Sequence, residues 1–417
     1  MPIMVQRKGY LAGLAAWREK QVIKVVSGVR RCGKSTLLLQ YIDWLKASGV
    51  EDEQIISINL EDSEFEPLHD HQTLYAYIQK RLCKNRYTYI FIDEVQQCVN
   101  FERAVDSLFI KKRVDLYITG SNAYFLSGEL ATLLSGRYVE INMLPLSFAE
   151  YLTFSGADTK NASDHRAAFN NYLRFGSFPY TSVLGSDPGI IKTYIDGIYN
   201  TILIKDVAKR MGAADVSLLE NIIKFLSHSV GSFISVKKIS DTINSSGRKI
   251  SINTVETYMR SLTESFIFYY AGRYDIKGKQ HLKTLGKYYI VDTGIRNMLL
   301  ESSSPDLGHQ LENVVYLELL RRYRRVSIGK LAEKEIDFVA IGSKAEDDDS
   351  NGTAYFQVAA SVLDRNTLAR ELAGLQYIKD NHPKYLLTLD DIPAKANHDG
   401  IIQYNLIDWL LKTDNIT

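Results

Sequence analysis

Two short stretches of this 417-residue chain carry side chains whose types and spacing suit phosphate chemistry. In the first, SGVRRCGKST, Gly28 is followed by four residues and then by Gly33, Lys34, Ser35 and Thr36. Glycines at this spacing let the backbone curl, so that successive N–H groups face an anion, and a helix starting there adds its partial positive charge. Lys34 has the reach to meet the outer phosphates of a nucleotide, and Ser35 has a hydroxyl that can ligate Mg2+. Gly28, Arg30, Arg31, Gly33, Lys34, Ser35 and Thr36 are therefore the expected contacts to ATP. The second stretch, YIFIDE, is an apolar run that delivers two carboxylates. Asp93 is placed to hold Mg2+ with Ser35, directly or through water. Glu94 is placed to orient or deprotonate an attacking water, which makes hydrolysis the expected reaction and not binding alone.

Two further polar groups belong to the same expectation. TGSNA ends another apolar run, and its Ser121 and Asn122 are candidates to touch the terminal phosphate or the water; an ordinary Gly-Ser-Asn turn is the equal alternative. Among the arginines, Arg137 ranks first as the residue that would stabilise phosphate charge, because it opens a predicted strand on the same sheet.

These groups need a scaffold. The β-branched run QVIKVVS before the glycine loop predicts a buried strand. STLLLQYIDWLKA after it has helical spacing, with Leu38, Ile42 and Leu45 on one face. More strands are predicted over 55–60, 87–92, 115–120 and 137–142, alternating with helical or polar segments, which implies a parallel α/β sheet. Taken together, GVRRCGKST, YIFIDEVQ, ITGSNA, LLSGRYVEINMLPLSFAEY and FGSFP resemble prokaryotic AAA-type P-loop ATPases. The resemblance runs through most of the chain. It implies an α/β P-loop NTPase sheet of the additional-strand type over residues 1–150 and a helical lid or connector over 151–215. A winged-helix-like region over 216–291 and a restriction-endonuclease-like domain over 292–417 would follow. It supplies no cellular role.

Residues 217–287 hold eleven Lys/Arg against five Asp/Glu, a local excess of +6 on a chain whose net charge is only +1. SVKKISDTINSS predicts a short helix and SINTVETYMRSLTESF a longer one, with Ser251 or Asn253 as N-cap. A hairpin with a basic loop containing Lys277, Lys279 and Lys283 follows. Contact with duplex DNA through this region and the C-terminal domain is one expectation. Packing inside a multidomain protein is the even alternative, since the presumptive recognition helix carries Arg260 between Glu256 and Glu264.

Toward the C-terminus, Glu312 lies on a predicted amphipathic helix and Asp337 on a strand. Gln357-Val358-Ala359 lies on the next strand. An acid on a helix, an acid on a strand and an (Asp/Glu)-x-Lys pair is the layout of Mg2+-dependent restriction-type nucleases. Here glutamine replaces the acid and Ala359 the lysine, with Lys334 a weakly supported substitute. Glu312, Asp337 and Gln357 are thus expected to mark a lapsed metal site that leaves the domain inactive.

Composition bounds the remainder. No apolar run reaches membrane-span length, and the N-terminus lacks a signal-peptide core, so no membrane partner is expected. Three cysteines without a CxxC pair fit a reducing cytoplasm. The leading expectation is an ATP-driven motor or switch acting on DNA through its C-terminal half. A protein-interaction switch that ignores DNA is the alternative, and an ATP-gated nuclease is disfavoured. The partner and the oligomeric state stay open.

Overall fold

The computed structural model describes the chain except residues 1–4, 122–133, 135, 157–161, 186, 209–210, 212–214, 246, 301–305, 333, 344–351, 393–395 and 413–417, and the side chains of 162 and 282–284. Two compact units emerge, one over Met1–Pro145 with Glu264–Phe266, the other over Leu146–Thr263 with Ile267–Thr417.

In the first unit, helix α1 (Lys8–Ala16) precedes strand β1 (Ile23–Ser27), helix α2 (Lys34–Ala47), β2 (Ile55–Asn59) and α3 (His71–Gln79). Strand β3 (Thr88–Asp93), α4 (Phe101–Phe109), β4 (Val114–Gly120) and β5 (Tyr138–Asn142) complete it. The sheet order is β2-β3-β4-β1-β5, and every pairing is parallel, as the alternating pattern implies. Strand β4 is inserted between β1 and β3, the additional-strand arrangement. On one face Ile23, Val25, Ile90, Ile92, Leu116 and Ile118 pack against Leu74, Ile78, Val105 and Leu108 of the helices. All five residues of β1 and all six of β3 are buried, which fits strands covered on both sides. The other face holds a buried ion pair, Lys24–Asp115, whose aspartate also accepts from Tyr117 Oη at 2.9 Å and from the Glu19 N–H at 2.8 Å. Those extra donors offset the desolvation that such a pair costs.

The second unit begins with helices α5 (Phe148–Ser155), α6 (Ala162–Phe175) and α7 (Pro188–Thr201), the last running into a π-helical turn over Ile202–Ala208. Ile191, Ile195, Ile198, Ile202 and Leu203 are buried, the face that the spacing predicts. Between α6 and α7 lies FGSFP. Gly176 has φ 81°, and a Cβ there would stand 2.2 Å from the Asp292 carboxylate. Only glycine lets Ser177 donate its N–H (2.6 Å) and its hydroxyl (3.0 Å) to that buried acid.

Next come α8 (Val216–His228), β6 (Phe233–Ile234), α9 (Val236–Ser245), α10 (Ile252–Glu264), β7 (Phe268–Asp275) and β8 (Gln280–Ile290). Ser251 Oγ accepts from the Thr254 N–H at 3.1 Å, so it caps α10. Then follow α11 (Thr293–Leu300), α12 (Leu307–Arg322), β9 (Tyr323–Leu331), β10 (Lys334–Ser343), β11 (Thr353–Val358) and α13 (Arg365–Gln376). Strands β12 (Lys384–Thr388), β13 (Ala396–His398) and β14 (Ile401–Asn405) and helix α14 (Leu406–Leu411) end the described fold. Nine strands form one sheet, ordered β13-β14-β12-β11-β10-β9-β7-β8-β6.

That sheet joins strands from both sides of residue 291. Strand β7 pairs in parallel with β9, and Ile276 at the hairpin turn belongs to the same apolar core as Ile336, Val339, Tyr355 and Leu386. The basic hairpin and the C-terminal strands are one structural body. Helix α12 also departs from its predicted amphipathic character. Residues Gln310–Leu319 are all buried, because the helix is covered all round.

Candidate functional site

The glycine loop runs from the end of β1 to the start of α2. Gly28 has φ 146°, and a Cβ there would stand 2.2 Å from the Met143 carbonyl oxygen. Gly28 is therefore required both for its backbone angle and for the close approach of the chain leaving β5, where Met143 N–H donates to Ser27 O at 2.7 Å. Gly33, at φ 104°, makes the second turn and caps α2. Lys34 is folded back over the loop. Its ammonium donates to Gly28 O (3.0 Å) and Val29 O (3.3 Å) and lies 3.8 Å from Glu94 Oε1.

The two acids follow β3, beside β4. Thr119 on β4 joins them: its hydroxyl donates to Asp93 Oδ1 and accepts the Glu94 N–H at 2.9 Å. Glu94 stands in the left-handed region at φ 52°, as does Arg31 at φ 68°. A non-glycine residue there costs on the order of 1 kcal/mol, and such strain gathers where geometry serves chemistry. Gln96 Nε2 donates to Glu94 Oε2 and reaches Ser121 Oγ at 3.4 Å, so Gln96 and Lys34 flank the carboxylate. Gln96 Oε1 is buried without a hydrogen-bond partner.

Each predicted residue can now be placed. Lys34, Asp93 and Glu94 come together. Arg30 is nearly buried and reaches Glu61 Oε1 (2.8 Å) and Ser121 Oγ (3.5 Å), which brings it to the ends of β2 and β4. Arg31, Ser35 and Thr36 are exposed around the loop and the first turn of α2. Asn122 lies outside the described residues. Arg137 lies apart from this group. It precedes β5, whose first residue Tyr138 pairs with Ile23 at the start of β1, whereas the glycine loop leaves the far end of β1. Five residues at about 3.3 Å each put roughly 17 Å of strand between them. Arg137 instead pairs with Asp106 of α4 and lies over the Phe109 ring.

Sequence reasoning missed Thr119, Gln96 and Arg7. The first had a signal, a threonine near the end of a strand beside the acids, and Gln96 sits two residues beyond Glu94. Arg7 had none. Its buried guanidinium donates to Cys32 O (3.3 Å), Leu144 O (2.8 Å) and Pro145 O (3.2 Å), tying the glycine loop to the chain after β5. Cys32 itself is fully buried, and burial pushes its thiol above the ordinary range, so it serves as a loop filler.

Residues 20–152 match the model of a family described as an AAA domain, and residues 166–306 match a domain of unknown function. A Haemophilus influenzae protein described as uncharacterized is 40% identical over 98% of this chain and 99% of its own length. The chain belongs to the same family as this Haemophilus protein, and its first unit is an AAA-type P-loop ATPase domain. A second uncharacterized relative, from Methanocaldococcus jannaschii, is 29% identical over 92% of this chain and 82% of its own. Among solved structures, a Walker-type ATPase of Pyrococcus abyssi covers 71% of this chain and 96% of its own, with 14% identity and a TM-score of 0.49.

This AAA-type protein has a second cluster of charges, in its other unit. Glu312 on α12, Asp337 on β10 and Gln357 on β11 lie near one another, with a cation that sequence reasoning did not single out. Lys287 on β8 is buried, and its Nζ lies 2.8 Å from Glu312 Oε1 and 2.6 Å from Glu335 Oε1. Burial works to lower its pKa, but the charges of Glu312, Asp337 and Glu335 outweigh it and leave it raised. Burial, then the charge of Glu312, drives the Asp337 carboxyl well above its usual range. Lys334 takes no part in these ion pairs; its Nζ sits over the Tyr377 ring at 4.5 Å. Ala359 belongs to the apolar core with Ile336 and Leu375.

Proposed function

We propose that the chain is a Mg2+-dependent ATPase working as a nucleotide-driven motor or switch in the cytoplasm. The observation that carries the reading is Lys34, at the start of α2, within 3.8 Å of Glu94 and beside the Asp93–Thr119 contact. The Gly28–Lys34 loop is suited to cradle phosphates, since its backbone curls at Gly28 and Gly33 into the start of α2, and Arg30 and Arg31 add charge at its rim. Ser35 and Asp93 form a hydroxyl and carboxylate pair fit for Mg2+, which when bound neutralises charge on the phosphates. Glu94 takes the proton of the attacking water. Gln96 fixes where that carboxylate points, Thr119 holds the Glu94 backbone N–H, and the open acceptor of Gln96 is suited to a water proton. The test is ATP turnover by the wild type, Lys34→Ala and Glu94→Gln in the presence and absence of Mg2+. Wild-type turnover that persists in both variants would exclude this site.

A second reading places DNA on the other unit. The order helix, short strand, helix, helix, hairpin over α8 to β8 supports a winged helix, with α10 as the recognition helix. Asn253, Thr254, Thr257 and Arg260 are exposed on α10, and Lys277 and Lys279 are exposed at the hairpin turn. The local +6 overstates the surface charge, because Lys287 is buried and Arg248 pairs with Asp215. The order of α12, the antiparallel β9-β10-β11, α13 and the parallel β12 supports an inactive restriction-endonuclease-like fold. The segment 151–215 is proposed as the helical connector. ATP turnover with and without duplex DNA at two salt concentrations separates the readings. Salt-sensitive stimulation favours DNA, and a nucleotide response without it favours a protein partner.

A further inference from the structure

A pair of acids facing two adjacent strands in a nuclease-like layout would ordinarily receive a divalent ion. The donor atoms here do not fit one. Glu312 Oε1 accepts from Lys287 Nζ at 2.8 Å and from Tyr289 Oη at 2.6 Å. Asp337 Oδ2 accepts the Val358 N–H at 2.9 Å. The Gln357 carbonyl oxygen takes the N–H of Asp337 at 3.3 Å, and the Gln357 amide donates to Glu371 Oε2 at 2.9 Å. One oxygen of each acid and both ends of the Gln357 amide are thus already engaged with protein groups. Among the described residues, no group of three or more His, Cys, Asp or Glu is arranged to hold a metal ion.

We infer that Lys287 is the resident counter-cation of this cluster, its ammonium standing in the charge position that a divalent ion would take between Glu312, Glu335 and Asp337. The chemistry suits the substitution. An ammonium offers three donors and one positive charge, and two of its bonds go to carboxylates on different elements, α12 and β10. Lys287 sits on β8, which pairs with both β6 and β7, so the contact staples the hairpin to the C-terminal core. Phe233 of β6 covers the ammonium, with its ring centroid 5.5 Å from Nζ. The cluster is therefore a structural lock that needs no metal, and the hairpin is held rigid against α12 and β10. This inference rests on the contacts alone and stands apart from the ATPase reading.

The experiment uses the full chain without nucleotide and Mn2+ as the probe. Bound Mn2+ is counted by electron paramagnetic resonance and melting is followed by calorimetry. The wild type and Asp337→Asn are expected to bind Mn2+ alike, so that any ion held near Asp93 cancels in the comparison. Lys287→Ala should melt roughly ten degrees lower, as befits a broken buried pair, and Mn2+ should restore part of that loss. Lys287→Arg should hold its melting temperature better and stay indifferent to Mn2+. Mn2+ bound by the wild type but not by Asp337→Asn would overturn the inference, as would plasmid nicking that depends on Asp337. A folded Lys287→Ala protein that melts like the wild type would overturn it too. If Lys287→Ala does not fold, the wild-type and Asp337→Asn comparison still decides.

Discussion

Lys34 Nζ stands 3.8 Å from Glu94 Oε1, and both side chains are more than nine-tenths buried, at 4% and 7% exposure. The cation that would meet the phosphates and the carboxylate that would activate water share one small space. The ammonium also donates to two loop carbonyls, Gly28 O and Val29 O.

Removing the cation tests this directly. Lys34→Ala should weaken ATP binding about ten- to hundredfold, the size of one charge-assisted hydrogen bond at about 1.5–3 kcal/mol. Titration of a fluorescent ATP analogue against the folded variant measures it. Unchanged affinity would show that the phosphates are held elsewhere.

Removing the base should separate binding from turnover. Glu94→Gln keeps the size of the side chain and ends its capacity to take a proton. ATP affinity should stay within a few fold of wild type, while kcat falls by about two to four orders of magnitude. A variant that still hydrolyses ATP at the wild-type rate would move the base away from β3.

Arg137 offers a prediction of the opposite kind. It pairs with Asp106 at the end of the sheet remote from the glycine loop. The pair is exposed, so Arg137→Ala should change stability by about 1 kcal/mol or less. Turnover by the isolated chain at low protein concentration should be unaffected. A large loss of kcat that appears only as concentration rises would mean that Arg137 serves a neighbouring copy.

The ATP-binding half was legible because its signals are local. A strand, a glycine loop and a helix follow one another in sequence, and Asp93 and Glu94 close an apolar run that can only be a buried strand. The place of Arg137 follows from the sheet itself. In a parallel sheet the loop leaves one end of β1, and a residue preceding β5 must lie at the other. Lys287 was a different matter. It precedes Glu312 by 25 positions, in a hairpin that reads as a separate module. Only the pairing of β7 with β9 carries that hairpin into the C-terminal sheet, and no spacing rule anticipates it. Ala359 then reads differently: the position is part of an apolar core, where a lysine ammonium would be costly to bury.

The exposed turn of the hairpin carries the last prediction. Asp275 Oδ1 accepts the N–H groups of Lys277 and Gly278, both at 3.1 Å, and Lys279 adopts φ 50°, so the Asp275 side chain fixes the turn. That fixed turn leaves Lys277 and Lys279 exposed. If duplex DNA is the partner, these two ammonium groups are phosphate contacts and not readers of bases. Each phosphate neutralised contributes about −0.9 to the slope of log K against log salt. Changing Lys277 and Lys279 to Glu should therefore weaken binding equally for all sequences and make the slope shallower by about 1 to 2. The Lys287 lock lies elsewhere on β8 and is untouched, so the melting temperature should hold. Fluorescence anisotropy of a labelled duplex at several low salt concentrations reads both quantities. An unaltered slope would remove the hairpin turn from the interface, and with unaltered affinity it would favour a protein partner.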